Sequence, residues 1–282
     1  MSDFDFTIPF ERLPPGFAEM LEHVPAEPVA ARPAATILML RDGPEGLETL
    51  VLRRTRNAGF VPGAYVFAGG RVDLADGEAE AAACLRGLSP EEAAVRLRLE
   101  ARARPPATAY YVAALREAFE ETGLLVGTHA SGGPALSAGE DPAVARVRDR
   151  LLADEISFGQ ALDLLEVTVD ATAVEYVAHW ITPVQEPRRY DTRFFAAVVQ
   201  REREVLLNPT EMTDARWLTP RGALELHGQG RLPMVFPTIR TLEDLRDFGT
   251  AREALEAYAS RDIPPILPRL VKTPTGVGMR IP

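Results

Sequence analysis

Three glutamates within five residues constrain this chain more than any other feature of it. The segment Ala113-Ala-Leu-Arg-Glu-Ala-Phe-Glu-Glu-Thr-Gly-Leu124 places Glu117, Glu120 and Glu121 at i, i+3 and i+4. At about 100° per residue a helix projects all three from one face in a narrow arc. Thr108 can cap that helix, which then runs from about Ala109 to Thr122, and Gly123 ends it as a C-terminal glycine does. Carboxylates this close repel by some tenths of a kcal/mol per pair on a bare helix. A hard divalent cation that prefers oxygen ligands, Mg²⁺ above all, offsets that repulsion. A lone Glu-Glu pair reads as a solvated acidic face. Here Arg116 precedes the first glutamate, Ala118 and Phe119 add apolar flanks, and Gly123 stops the helix directly after the last.

The rest of the chain alternates strand and helix signals. Ala34–Leu40 and Leu47–Arg53 are apolar runs joined by turn chemistry at 41–46, which reads as a hairpin. A glycine- and aromatic-rich loop, Asn57–Gly63, leads into Tyr65–Gly70. Residues 77–103 are rich in Ala, Glu, Arg and Leu and predict one or two short helices, with Ser89 as a cap and Pro90 in the first turn. Pro105 and Pro106 close that stretch. Leu124–Val126 is a short strand candidate, and 130–141 a loop. Pro142–Asp154 and Phe158–Leu165 have helical periodicity. Glu175–Thr182, Arg193–Gln200 and Ala215–Leu218 read as strands. Pro220–Leu226, Pro237–Asp247 and Ala251–Ser260 read as helices. The first 33 residues predict an irregular lead-in and the last 20 an extended tail. There is no Gly-rich dinucleotide fingerprint, and the class is mixed α and β.

Composition excludes several alternatives. The 282 residues are 46% hydrophobic and 26% charged with net charge −10, which excludes disorder over the whole chain. The longest apolar runs, Ala34–Leu40 and Phe194–Val199, are far shorter than the ~20 residues a membrane-crossing helix needs. There are 31 basic against 41 acidic residues and Lys272 is the only lysine, so no basic patch is present to track a nucleic-acid backbone. A small anionic substrate is compatible with that balance, since a metal ion and a few arginines reverse the local field. Cys84 is the only cysteine and excludes an internal disulfide. With an N-terminus lacking the basic start and apolar core of a signal peptide, it predicts a cytoplasmic protein. The Ala- and Arg-rich, Lys-poor usage points to a high-GC bacterial genome.

Arg116-Glu117-Ala118-Phe119-Glu120-Glu121-Thr122-Gly123-Leu124 is similar to the second half of the Nudix box, Arg-Glu-apolar-any-Glu-Glu-any-Gly-apolar. Tyr65-Val-Phe-Ala-Gly-Gly-Arg-Val-Asp73 resembles the first half, in which Gly-Gly ends a strand. Arg116 lies 46 residues after Gly70, so about 32 residues are inserted between the halves. The first glutamate of the box falls at Asp76, with Glu78 and Glu80 as alternatives. A split box of this kind resembles the Nudix branch of the peroxisomal coenzyme A diphosphatases and their bacterial relatives. Trp180-Ile-Thr-Pro183, Arg188-Arg-Tyr-Asp-Thr-Arg-Phe-Phe195 and Gly63–Gly70 support that placement; the last partly resembles a coenzyme A-associated signature, with Ala68 in place of proline.

The resemblance implies an α+β fold, a Nudix α/β/α sandwich with a mixed β-sheet, a helical insertion within the box and C-terminal helices. Its domain would span 34–245 with insertions at about 74–108 and 128–170, followed by a C-terminal helix and tail at 246–282. The 74–108 segment would form a lid, a pocket wall or a homodimer contact. The implied activity is hydrolysis of the diphosphate bond of a nucleoside diphosphate derivative, with coenzyme A or an acyl derivative as favoured substrate. Alternatives are a dinucleotide, nucleotide sugar or nucleoside triphosphate hydrolase, and a ligand-sensing module without catalysis. Glu117, Glu120, Glu121 and the carbonyl of Gly69 or Gly70 would hold Mg²⁺ or Mn²⁺, and Arg116 would orient the glutamates. The general base is Glu121 or a carboxylate from outside the box, Glu211 ahead of Glu175. Arg188, Arg189 and Arg193 read either as phosphate contacts or as ordinary ion pairs beside Asp191. Phe67, like Tyr65, Tyr190 and Phe194, either stacks on a substrate base or packs in the core.

Overall fold

Ala35, Ile37 and Met39 alternate with Leu38 and Leu40 along one strand, and all five are fully buried. A strand apolar on both sides needs cover on both faces, and that requirement organises the molecule. The computed structural model describes residues 6–10, 21, 27–59 and 61–281. Its strands are β1 (Phe6–Pro9), β2 (Arg32–Gly43), β3 (Gly46–Arg54), β4 (Tyr65–Val66), β5 (Ala68–Arg71), β6 (Leu85–Arg86), β7 (Thr128–His129), β8 (Val167–Asp170), β9 (Val174–Ile181), β10 (Tyr190–Val198), β11 (Met212–Leu218), β12 (Pro265–Ile266), β13 (Arg269–Thr273) and β14 (Gly276–Arg280). The helices are α1 (Ala79–Ala83), α2 (Pro90–Arg96), α3 (Ala107–Thr122), α4 (Pro142–Leu152), α5 (Phe158–Leu164), α6 (Pro220–Gly228), α7 (Phe236–Leu245) and α8 (Ala251–Ala259).

The central sheet runs β11-β3-β2-β10-β9-β12, with β4 on β3 and β5 on β2. It is mixed: β10 lies parallel to β2 and β12 parallel to β9, while β3 and β9 pair antiparallel to their neighbours β2 and β10. Helix α3 and the 128–170 helices cover the face that carries Ala35, Ile37, Met39, Leu52, Phe195 and Ala197. Helices α6, α7 and α8 cover the other face, against Leu38, Leu40, Val51, Phe194 and Ala196. Ala35 pairs with Gly70 on one side and with Arg193 on the other, so the end of β5 stands one strand away from β10.

Several expectations need correction. Helix α3 begins at Ala107, not Ala109, with Pro106 at the N-cap and no side-chain cap; Thr108 is buried inside the first turn. Proline suits this place because a backbone N–H there would have no intrahelical partner, so the N–H that proline lacks is not missed. Leu124–Val126 forms no strand. Gly123 adopts φ 71°, a conformation that favours glycine, and turns Leu124 and Leu125 into the core; pairing resumes at β7, against β8. The terminal tail is extended but paired, since β13 and β14 form an antiparallel hairpin that joins β1. Most of the 1–33 lead-in lies outside the described residues, and β1 shows that part of it is regular strand. Ser89 caps α2 through a reciprocal pair with Glu92, as the sequence predicts. Among the described residues no helix is long and apolar enough to cross a membrane.

Phe195 is the pivot of the α3 face: its ring lies 4.5 Å from that of Tyr111 and 5.8 Å from that of Tyr176. Phe195→Ala is expected to cost about 3–5 kcal/mol, read by urea unfolding; a loss below 1 kcal/mol would show that the core collapses around the gap.

Candidate active site

Helix α3 carries the glutamates across the end of β5, and one buried guanidinium organises them. Arg116 is 7% exposed. Its Nε donates to Asp76 Oδ1 at 2.8 Å and its Nη2 to Asp76 Oδ2 at 3.1 Å, a bidentate fork. Nη2 also donates to the Arg71 carbonyl at 2.9 Å, and Nη1 donates to Glu117 Oε1 and Glu120 Oε2, each at 2.9 Å. Burial works against the Arg116 charge, but Asp76, Glu117 and Glu120 outweigh it and raise its pKa. Asp76 is 2% exposed and also accepts from the Asp73 backbone N–H at 2.8 Å. Asp76 therefore fills the acidic position of the box, whereas Glu78 and Glu80 point to solvent. The insertion between the box halves leaves this partner in place because residues 75–77 fold as a short 3₁₀ turn against α3.

The glutamates themselves are crowded. A Cβ on Gly70 would stand 2.3 Å from Glu117 Oε1, so only glycine lets that carboxylate rest against the β5 backbone. Glu121 is 1% exposed and accepts the Gly69 N–H at 3.1 Å. Burial, with the Glu120 and Glu211 charges added, pushes Glu117 up to about 7 against the pull of Arg116. Glu120 is raised by burial against the same guanidinium. Glu121 is raised well above the usual range by burial, Glu117 and Glu211, opposed by Arg54 and the Gly69 N–H. Glu211 is exposed, and its charge acts on all three. Its turn is tied down by Asn208 N–H to the Glu121 carbonyl at 3.0 Å and by Thr55 N–H to the Glu211 carbonyl at 2.8 Å.

The donor set fits a hard divalent cation. Arg116 engages one oxygen each of Glu117 and Glu120, leaving Glu117 Oε2 and Glu120 Oε1 outside those bonds. Burial raises all three carboxylates, with the neighbouring negative charges adding to it, and a cation would favour their charged forms. Among the described residues no ligand cluster is drawn together in advance; Arg116 stands between the two carboxylates.

The other candidates are placed differently. Phe67 is 3% exposed in the core on the far side of the sheet, facing away from α3, and is not a substrate contact. Arg193 is 2% exposed, pairs with Asp191 at 3.1 Å and lies 4.3 Å from the Tyr110 ring centroid, which makes it a packed core cation. Arg189 donates to the Thr182 and Val29 carbonyls and so holds the chain entering β10. Exposed Arg188 donates to the Gly59 carbonyl and alone of the three remains open to a ligand. Glu175 lies 3.7 Å from Arg96 and not among the α3 glutamates. Cys84 is buried, and burial pushes its thiol up. Sequence reasoning missed two cations, Arg54 beside Glu121 and Arg148 beneath the end of α3. The only signal for either was its presence beside an apolar run.

The family model described as the NUDT19 Nudix domain matches residues 29–245. The chain belongs to the Nudix hydrolase family. It is 30% identical over 255 residues to the human acyl-coenzyme A diphosphatase NUDT19, covering 76% of this chain and 67% of that protein. The chicken protein of the same description is 31% identical over 215 residues, covering 65% of this chain and 57% of its own. The chain thus spans about two thirds or less of these relatives. A Nudix hydrolase structure from Alicyclobacillus acidocaldarius superposes with a TM-score of 0.62 at 29% identity, covering 81% of this chain and 96% of that one. The fold is accordingly the α+β Nudix sandwich, with α3 as its box helix.

Removing Asp76 from the Nudix arginine leaves a buried charge short of its fork, and Asp76→Ala should cost about 3 kcal/mol. Glu78→Ala and Glu80→Ala should each stay within about 0.5 kcal/mol. Denaturant unfolding of the three variants checks the assignment. The raised glutamates also set a pH dependence. Glu117 and Glu121 bind protons more tightly folded than unfolded, so the stability this contributes is whole below about pH 4.5, and the Glu117 part is lost as pH rises through about 7. Metal-free protein should therefore melt lower at pH 8 than at pH 5.5, and Mg²⁺ should raise the melting temperature more at pH 8; thermal scans with and without chelator read both.

Proposed function

We propose that this Nudix protein hydrolyses the P–O–P bond of a nucleoside diphosphate derivative, with coenzyme A or an acyl-coenzyme A as the favoured substrate. The complete carboxylate set on α3, held by Arg116 and Asp76, carries the reading. The substrate class is supported by likeness to proteins described as acyl-coenzyme A diphosphatases. Glu117, Glu120 and Glu121, with the Gly70 carbonyl, would hold Mg²⁺ or Mn²⁺. When bound, the metal neutralises the diphosphate oxygens and lowers the pKa of a water molecule. Arg116 keeps Glu117 and Glu120 on one side of the helix. Glu121, hydrogen-bonded to Gly69 N–H, ties the helix to the β5 loop. Glu211 is solvent-facing and electrically close to all three, which suits it to take the proton from attacking water. Arg188 at the loop edge would contact an outer phosphate. A buried, reduced Cys84 accords with a cytoplasmic setting.

The test is product release from coenzyme A, acyl-coenzyme A, ADP-ribose, NADH, diadenosine polyphosphates and nucleoside triphosphates, with Mg²⁺ and with Mn²⁺. Cleavage of coenzyme A to 4′-phosphopantetheine and adenosine 3′,5′-bisphosphate is expected. Glu211→Gln should lower kcat about 10²-fold or more with Mn²⁺ binding retained, whereas Glu121→Gln should lose both. Cleavage of a different member of the panel would keep the hydrolase and replace the substrate. Tight ligand binding without turnover would replace catalysis by sensing.

A further inference from the structure

Helix α3 violates the usual distribution of charge along a helix. Its last turn holds Glu120 and Glu121 and no basic residue, so two carboxylates stand where the backbone carbonyls already concentrate negative charge. A helix built this way would fray from the end that matters most for the site. The chain meets the problem from another element. Arg148 on α4 is 3% exposed, and its Nε donates to the Phe119 carbonyl at 2.8 Å while its Nη2 donates to the Glu120 carbonyl at 2.6 Å. Among the described residues Arg148 makes no salt bridge to a carboxylate, and its hydrogen bonds go to the helix end itself. Burial works against its charge, favoured only by the nearby charges of Asp149 and Glu120. Burying a cation in this way is costly unless something specific is gained.

The packing around it shows how it is held. Asp141 caps α4 through the Ala143 N–H, and Val144 and Leu151 of the same helix enter the core against α3. The ring of Phe158 on α5 lies 6.4 Å from that of Phe119. The Phe119 carbonyl also accepts the Gly123 N–H at 2.9 Å, so Arg148 and the glycine cap share one acceptor. One guanidinium thus fixes the two successive carbonyls that immediately precede Glu121.

We infer that Arg148 is a positioning residue for the metal-binding glutamates, supplying from the 128–170 insertion the positive charge that the end of α3 lacks. The inference rests on the reading of α3 as the metal-binding helix. Arg148 touches neither substrate nor metal; it holds the rotation of the last turn, so that Glu120 and Glu121 keep their places relative to Glu117. The planar fork matters as well as the charge, because the two carbonyls are engaged by different nitrogens. The 128–170 segment then has a part in the site through the two carbonyls that Arg148 engages.

The test compares wild type, Arg148→Met and Arg148→Lys by Mn²⁺ titration followed by electron paramagnetic resonance, by steady-state kinetics on the cleaved substrate, and by amide exchange at Gly123 and Leu124. Arg148→Met should bind Mn²⁺ about tenfold or more weakly, lose kcat with KM in place, and exchange faster at both amides. Arg148→Lys, with charge but no fork, should recover part of each. Wild-type Mn²⁺ affinity and kcat in Arg148→Met, with only the melting temperature lowered, would overturn the inference and make Arg148 a purely structural cation. Should Arg148→Met not fold, unchanged Mn²⁺ affinity and kcat in Arg148→Lys would overturn the requirement for the fork. Failure of wild type itself to bind Mn²⁺ would instead overturn the reading of α3.

Discussion

Every feature of the candidate site is arranged around one buried guanidinium. Arg116 carries a single positive charge into a region that also holds Asp76, Glu117 and Glu120, with Glu121 and Glu211 close by. Paired in a fork with Asp76, it is already neutralised before the α3 glutamates are counted. What it gives Glu117 and Glu120 is direction more than charge balance. The remaining negative charge is the physical demand the site makes, and a divalent cation answers it with the ligand type such ions prefer. Buried ion pairs are weak contributors to net stability. A network of this cost is better explained by the geometry it enforces than by the folding free energy it contributes.

The same interaction explains how the box tolerates being split. Arg116 lies 46 residues after Gly70, about 32 of them inserted, yet Asp76 returns to Arg116 through a 3₁₀ turn packed on α3. The chain then leaves through α1 and α2 and re-enters at Pro106. Loop closure costs grow only slowly with length, so inserted residues are tolerated where both ends of the insertion remain anchored. Here one anchor is the Asp76–Arg116 fork and the other the buried start of α3. The segment 128–170 is anchored by Arg148 and by the apolar faces of α4 and α5.

Much of this was legible in the sequence because it depends on local spacing. The glutamates at i, i+3 and i+4 follow from the helical period of 3.6, the Gly123 stop and the Ser89 cap from capping chemistry, and the strands expected at 34–40 and 193–200, observed as Arg32–Gly43 and Tyr190–Val198, from strand-length apolar runs. Asp76 was reachable as the acidic position by counting from Gly70. The parts that were not legible depend on contacts distant in sequence. Phe67 and Arg193 carry the residue types of a binding site, but strand register turns Phe67 toward α7 and α8 and places Arg193 against Tyr110. Arg148 looks like any arginine on an amphipathic helix until α4 is seen beneath the end of α3. Thr108 is a good capping residue in isolation, and Pro106 displaced it by the conformation its ring imposes.

As proposed, the α3 glutamates would form a cation site against the β5 glycines, with Arg116 orienting Glu117 and Glu120. Anomalous scattering from crystals soaked in Mn²⁺ tests it most directly. Mn²⁺ density bounded by Glu117, Glu120, Glu121 and the Gly70 carbonyl is expected, with Arg116 still forked on Asp76. Density elsewhere on the surface, or none while Arg116 continues to bridge Glu117 and Glu120, would contradict it.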